Sequence, residues 1–130
     1  MAHKDETAED YVEAIAQLIE ERGVARVGAL AELMGVSHVT VSKIITRLQG
    51  EGLVDTEPRK PIELTERGRA MADDAIERHK VVLAFLLTIG VPEEQAQIDA
   101  EGIEHHVSPE TLEALRNAAA RLSGTGPQNT

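Results

Sequence analysis

Glu101, Glu104 and His105 stand at i, i+3 and i+4, so a helical conformation would put two carboxylates and an imidazole on one face. Such groups repel one another or compete for protons unless a positive charge sits among them, and a divalent cation is the simplest such charge. Carboxylate with imidazole suits manganese, iron or zinc. Taken alone, the pattern is more often that of a solvated acidic helix face. A second pair far away in sequence, Asp10 and Glu13, strengthens the metal reading. These two are again i, i+3, in a segment where Val12, Ile15, Ala16 and Ile19 follow the helical period. Between them Tyr11, the only tyrosine, reads as a packing residue. His79 is a third candidate, on a long periodic stretch continuing through Val82, Leu83, Phe85 and Leu86. By itself a histidine there is more often a surface residue than a ligand.

Length and composition bound what can position these groups. A chain of 130 residues holds one or two small domains and is too short for a cofactor domain plus a substrate domain. It has no cysteine, which excludes disulfides, thiolate zinc sites and thiol redox chemistry. The N-terminal residues lack the apolar core of a signal peptide, and no run approaches the ~20 apolar residues of a membrane span. The expectation is a soluble cytoplasmic protein without a membrane partner. Aromatic content is only 2%, so the core must be built from Leu, Ile, Val and Ala.

The net charge of −10 argues against nucleic acid until its distribution is considered. Between Glu32 and Glu51 there is no acidic residue, while His38, Lys43 and Arg47 fall inside that window. The same window reads as a helix-turn-helix. Val27 to Met34 is a short apolar-periodic helix, Gly35 stops it, and Ser37 caps the next helix. That second helix has Val41, Ile44, Ile45 and Leu48 facing inward. Ser37, His38, Thr40, Ser42, Lys43 and Arg47 lie on its start and outer face, which is hydrogen-bonding at its N-terminus and basic toward its end. Such a helix can enter a major groove. Leu53 to Glu57 and Ile62 to Thr65 then alternate like short strands around a turn from Pro58 to Pro61. Arg59 and Lys60 at the tip of this hairpin would lie over a phosphate backbone.

After Thr65 the character becomes helical. A long helix is expected from about Glu66 to Ile89, broken by Gly90 to Pro92. A second helix carries the Glu/His cluster, and a third starts at Ser108 with Pro109 in its first position and runs to about Leu122. The fold class is therefore mainly α: a winged helix-turn-helix with a small β-hairpin wing over residues 1–67, a helical metal-binding and dimerisation domain over 68–123, and a polar, disordered tail over 124–130. The C-terminal half is rich in aliphatic residues it is too small to cover, which points to a homodimer.

At this point the chain resembles the DtxR/MntR family of metal-dependent transcriptional repressors, on its manganese-sensing side. The resemblance covers about residues 9 to 123. It rests on the segments Glu9 to Glu13, Val36 to Lys43, Leu64 to Gly68, Glu77 to His79 and Asp99 to Ser108. It implies Asp10, Glu13, His79, Glu101, Glu104 and His105 as metal ligands, the six residues that type and spacing had singled out. Iron-sensing relatives place a cysteine where this chain has Glu104 and a methionine where it has Asp10, so hard oxygen donors here favour manganese. The carboxylates of Asp10, Glu13, Glu101 and Glu104 sum to a charge that two divalent ions would balance. Two manganese ions per subunit are expected, with iron, cobalt, zinc or cadmium also acceptable to these donors. The family's SH3-like third domain is expected to be absent. The resemblance implies a repressor of metal-uptake genes that binds operator DNA as a homodimer, without an organic cofactor and without enzymatic activity. His106 reads as a surface residue or a partner of a ligand.

Two other classes remain open at this level. A metallohydrolase could use a dinuclear carboxylate and histidine site, but it would not need a winged helix. An iron-responsive regulator, or a winged-helix regulator answering to an organic effector, would explain the recognition helix. The effector reading leaves the convergence of six ligand-type residues to chance.

Overall fold

The computed structural model describes residues 5–124. The polar tail expected from residue 124 lies, beyond Gly124, outside the described residues. The chain divides into two compact units, residues 5–74 and 75–124, with the boundary inside one helix.

In the first unit, α1 (Glu6–Arg22) is followed by α2 (Val27–Met34) and α3 (His38–Gly50). Two short strands come next, β1 (Val54–Asp55) and β2 (Glu63–Leu64), and then the start of α4 (Glu66–Thr88). Helices α1 and α3 begin on side-chain caps. Asp5 caps α1 by accepting the Ala8 N–H at 3.1 Å, and Ser37 caps α3 by accepting the Thr40 N–H at 3.1 Å. Gly35, at φ 70°, takes the left-handed conformation that turns the chain between α2 and α3. Helix α1 buries Tyr11, Val12, Ile15 and Leu18. It packs on α2 and β2, and α3 packs on α2 and β1. Leu30, Val41, Ile45, Leu48, Leu53, Val54 and Ile62 are all buried as well. At about 1.5–3 kcal/mol for each large aliphatic side chain, this core is sufficient for a small domain.

The wing is shorter than the sequence pattern suggests. The antiparallel pairing is confined to Val54 with Leu64 and Asp55 with Glu63. Pro58 and Pro61 lack the N–H groups that would extend the ladder. The return strand is held at its start elsewhere: Ile62 N–H donates to the Ala25 carbonyl at 2.7 Å, in an antiparallel bridge to the segment before α2. At the tip, Lys60 N–H donates to the Glu57 carbonyl at 3.0 Å and closes a turn. Within it Arg59 has φ 70°, a left-handed conformation that a glycine would adopt without cost.

The base of the wing is clamped to α4. Thr65 Oγ1 donates to the Gly52 carbonyl at 2.6 Å and accepts the Gly68 N–H at 3.0 Å. Arg67 Nη1 donates to the Glu51 carbonyl at 2.6 Å. Gly68 lies directly against the Leu53 carbonyl, with no room for a Cβ.

The second unit contains the rest of α4, α5 (Glu93–Ile103), a 3-10 turn (Glu104–His106) and α6 (Pro109–Ser123). The break after α4 is the expected one: Gly90, at φ 99°, and Val91 return hydrogen bonds to Leu87 and Leu86. Ser108 caps α6 by accepting the Thr111 N–H at 3.1 Å, with Pro109 in the first turn. The second helix departs from expectation, because the α-helical path ends at Ile103 and does not run through His105. Pro109 disfavours α geometry at Ser108, which is extended at φ −71° and ψ 158°, and the chain tightens before leaving the helix.

A cluster of Val82, Ala100 and Val107, flanked by Leu83, Leu86, Leu112 and Leu115, forms the centre of this unit. Large aliphatic residues remain uncovered around it, among them Ile98 at 61% and Leu122 at 63% exposure. A core this small beside that much exposed apolar surface is the pattern of a unit stabilised by association.

Candidate metal centre and nucleic-acid interface

The chemistry of the second unit gathers around Glu104. Its side chain is fully buried. One carboxylate oxygen, Oε1, lies 2.7 Å from Nδ1 of His79 on α4. The other, Oε2, is buried with no hydrogen-bond partner among the described residues. A buried carboxylate oxygen left unsatisfied costs about 1–3 kcal/mol or more, a cost that a bound cation would remove. An imidazole nitrogen beside a carboxylate, with thiolate absent from the whole chain, is a donor set for a borderline to hard divalent ion. The residues therefore fit a bound metal.

The other ligand candidates fall in different surroundings. His105 is buried on the 3-10 turn beside Glu104, whereas Glu101, on the last turn of α5, is exposed. Glu101 thus differs in burial from the two residues with which it was expected to share a face. His106 is exposed. In the first unit, Asp10 and Glu13 sit one turn apart on α1, both half-buried. Tyr11 between them is buried, and its phenol is held above its ordinary pKa by burial and then by the Asp10 carboxylate.

The face expected to meet nucleic acid lies on α3. His38, Thr40, Ser42, Lys43 and Arg47 are all exposed, while Val41, Ile45 and Leu48 anchor the helix in the core. Ser37 is also exposed, but its oxygen is engaged in the cap and its hydroxyl donates to Thr40 Oγ1 at 3.1 Å. His38, Val39, Ser42, Lys43 and Thr46 line a shallow recess of about 460 Å³. Two of these were missed from the sequence, Val39 and Thr46. Val39 is apolar yet 64% exposed on the first turn. An apolar side chain at that place has a partner in the major groove, the thymine methyl group. The signal was available, since Val39 precedes the inward Val41 by two residues and so cannot share its face. Arg59 and Lys60 are exposed on the wing, with Lys60 Nζ 3.7 Å from Glu57.

Arg47 is less available than a free surface cation. Its Nε donates to Glu51 at 3.1 Å, and its Nη2 is tightly paired with Asp5, the cap of α1. Burial pulls the Asp5 carboxyl upward, but the Ala8 N–H and Arg47 outweigh that and hold it below the usual carboxylate range. Asp5→Asn keeps an oxygen for the cap and removes the charge that competes with phosphate for Arg47. We expect DNA affinity at low salt to rise about 3- to 5-fold, the scale of an exposed pair, and the salt slope to steepen by about 0.9 for one phosphate gained. An unchanged slope in a salt titration would show that Arg47 does not face the backbone.

A helix-turn-helix whose wing carries Arg59 and Lys60 at its tip, joined to a unit whose buried carboxylate and histidine fit a cation, defines the class: a DNA-binding regulator set by a metal ion. Comparison with known proteins agrees. Residues 5–62 match the family described as iron dependent repressor, N-terminal DNA binding domain. Residues 65–123 match its metal binding and dimerisation domain. The chain is 48% identical over 115 residues to the transcriptional regulator MntR of Escherichia coli O6:H1, covering 88% of this chain and 74% of that protein. To the HTH-type transcriptional regulator MntR of Bacillus subtilis (strain 168) it is 37% identical over 107 residues, covering 82% and 75%. A solved manganese-dependent transcriptional repressor in complex with manganese superposes with a TM-score of 0.77 at 31% identity, over 92% of this chain. The chain spans about half, 53%, of that structure. The chain belongs to the iron dependent repressor family, whose members are transcriptional regulators and not enzymes. No helix among the described residues is long and apolar enough to cross a membrane.

Proposed function

We propose that this protein is a manganese-responsive repressor of metal-uptake genes, binding operator DNA as a homodimer when the ion is plentiful. The observation that carries the metal reading is the buried Glu104, with one oxygen against His79 and the other unsatisfied. The choice of manganese rests on hard donors in a chain without cysteine, and on the manganese regulators it resembles. The ligands we assign are Asp10, Glu13, His79, Glu101, Glu104 and His105. Two ions per subunit would balance the charge of the four carboxylates among them. Glu101 is the exposed member of the set.

The chain's own residues then divide the work. Asp10 and Glu13 belong to the helix that packs on α2 and the wing, and the other four ligands belong to the dimerisation unit. A cation drawing on both sets favours the conformations that present both. If those are the DNA-competent ones, metal strengthens operator binding, and DNA strengthens metal binding by the same factor. Ser37, His38, Thr40, Ser42 and Lys43 supply base and phosphate contacts from α3. Arg59 and Lys60 lie over the backbone, and Arg47 joins them when Asp5 releases it. A gel-shift titration with a metal-uptake promoter, in chelator and in excess manganese, iron or zinc, tests the reading. Manganese should tighten specific binding by at least about 10-fold, the scale of an allosteric coupling, with weak nonspecific binding little changed. Equal specific affinity in chelator and in manganese would remove the regulatory reading.

A further inference from the structure

Among the residues lining the recess on α3, Thr46 has its hydroxyl already committed. Its Oγ1 donates to the Ser42 carbonyl, four residues back, at 2.9 Å. A threonine Cβ carries one hydroxyl and one methyl group, so fixing the first in that bond selects a rotamer and fixes the second with it. With the hydroxyl turned back along the helix, Thr46 offers its methyl group outward. The side chain is exposed and lines the recess with His38, Val39, Ser42 and Lys43. Val39, at 64% exposure, is the other β-branched residue of the recess and is equally stiff at its first torsion. Stiff apolar groups on a polar face lose little side-chain entropy when a ligand packs on them. Lys43 stands between the two in sequence and brings a hydrogen-bond donor. A methyl group beside a hydrogen-bond acceptor is what thymine alone of the four bases presents in the major groove.

We propose that Thr46 is a specificity-determining residue for operator DNA, meeting the 5-methyl group of a thymine with its own methyl group. The proposal rests on the operator-binding reading given above. Seven residues of helix separate Thr46 from Val39, a rise of ~10.5 Å or about three base-pair steps, so its thymine is not the one that Val39 would meet. The hydroxyl acts indirectly, by holding the rotamer.

The test titrates the full chain, saturated with manganese, with a duplex from a metal-uptake promoter, and then with duplexes in which thymines are replaced one at a time by deoxyuridine. That replacement removes the methyl group and nothing else. Wild type should lose about 4-fold in affinity at the thymine that Thr46 meets, the worth of one buried methyl-sized group. In Thr46→Ser, which keeps the hydroxyl and its bond, the same thymine should become insensitive to the replacement, and the unmodified duplex should bind about 4-fold more weakly. Thr46→Val, which keeps the methyl group, should retain the sensitivity, and so should Val39→Ala at this position. A deoxyuridine profile in Thr46→Ser identical to that of wild type overturns the proposal. So does a loss of sensitivity in Thr46→Val as complete as in Thr46→Ser, because the contact then belongs to the hydroxyl. Specific binding of the unmodified duplex by wild type separates these results from failure of the operator-binding reading; without it, both fall together.

Discussion

Glu104→Leu is expected to stabilise the metal-free protein while abolishing its response to metal. The side chain is completely buried, and only one of its oxygens is satisfied. Replacing an imperfectly paired buried charge with an apolar group of similar volume is often neutral or stabilising, here by about 1–2 kcal/mol, which raises the melting midpoint by ~3–8 °C. His79 loses its contact with Glu104, but its side chain keeps 19% exposure and water can replace that contact. The metal side moves the other way. With the central carboxylate gone, manganese affinity should fall on the order of 100-fold or more, and added manganese should no longer raise the midpoint or tighten operator binding. Melting curves with and without the ion read both effects. A variant that melts lower than wild type without metal, yet still gains stability from manganese, would mean that Glu104 is an ordinary core residue.

Gly68→Ala is expected to be the most damaging single-methyl change in the first unit. A Cβ at this position runs into the carbonyl carbon and oxygen of Leu53. That carbonyl also accepts the Thr65 N–H at 3.1 Å. The obstacle is backbone at the junction of α4 with the wing, so no rotamer change relieves it. A cost of about 3 kcal/mol corresponds to a loss of roughly 10 °C or more in the midpoint of the domain, with DNA binding lost alongside. Gly50→Ala is the matched control, since nothing lies within 4 Å of its Cβ position and its backbone is not left-handed. In α3 that change should be neutral or worth up to about 1 kcal/mol of added stability. Equal melting temperatures for the two variants would show that the wing moves freely against α4.

Much of the frame is legible from sequence, for reasons that can be named. Helices α2 and α3 begin and end where Gly35 and Ser37 require, because one must be left-handed and the other must cap. The hairpin is readable as a hairpin but not in its extent, since the prolines that mark its turn also remove the donors that would lengthen its strands. Among the ligand candidates, residue type and spacing are legible in the chain, while burial, which sets Glu104 and His105 apart from Glu101, is not. The 3-10 turn carrying Glu104 and His105 follows from the extended backbone that Ser108 and Pro109 require further on. The pairing of Asp5 with Arg47 spans 42 residues, and nothing local in the chain announces it.

Tyr11 has a practical consequence for following this protein in solution. The chain has one tyrosine and no tryptophan, so its ultraviolet emission comes from a single buried phenol next to Asp10. A paramagnetic ion taken up by that carboxylate would quench the fluorophore at its source, and a diamagnetic ion of the same charge would leave it bright. Occupancy at α1 is therefore readable optically and without labels, from a signal to which the rest of the chain adds no tyrosine or tryptophan.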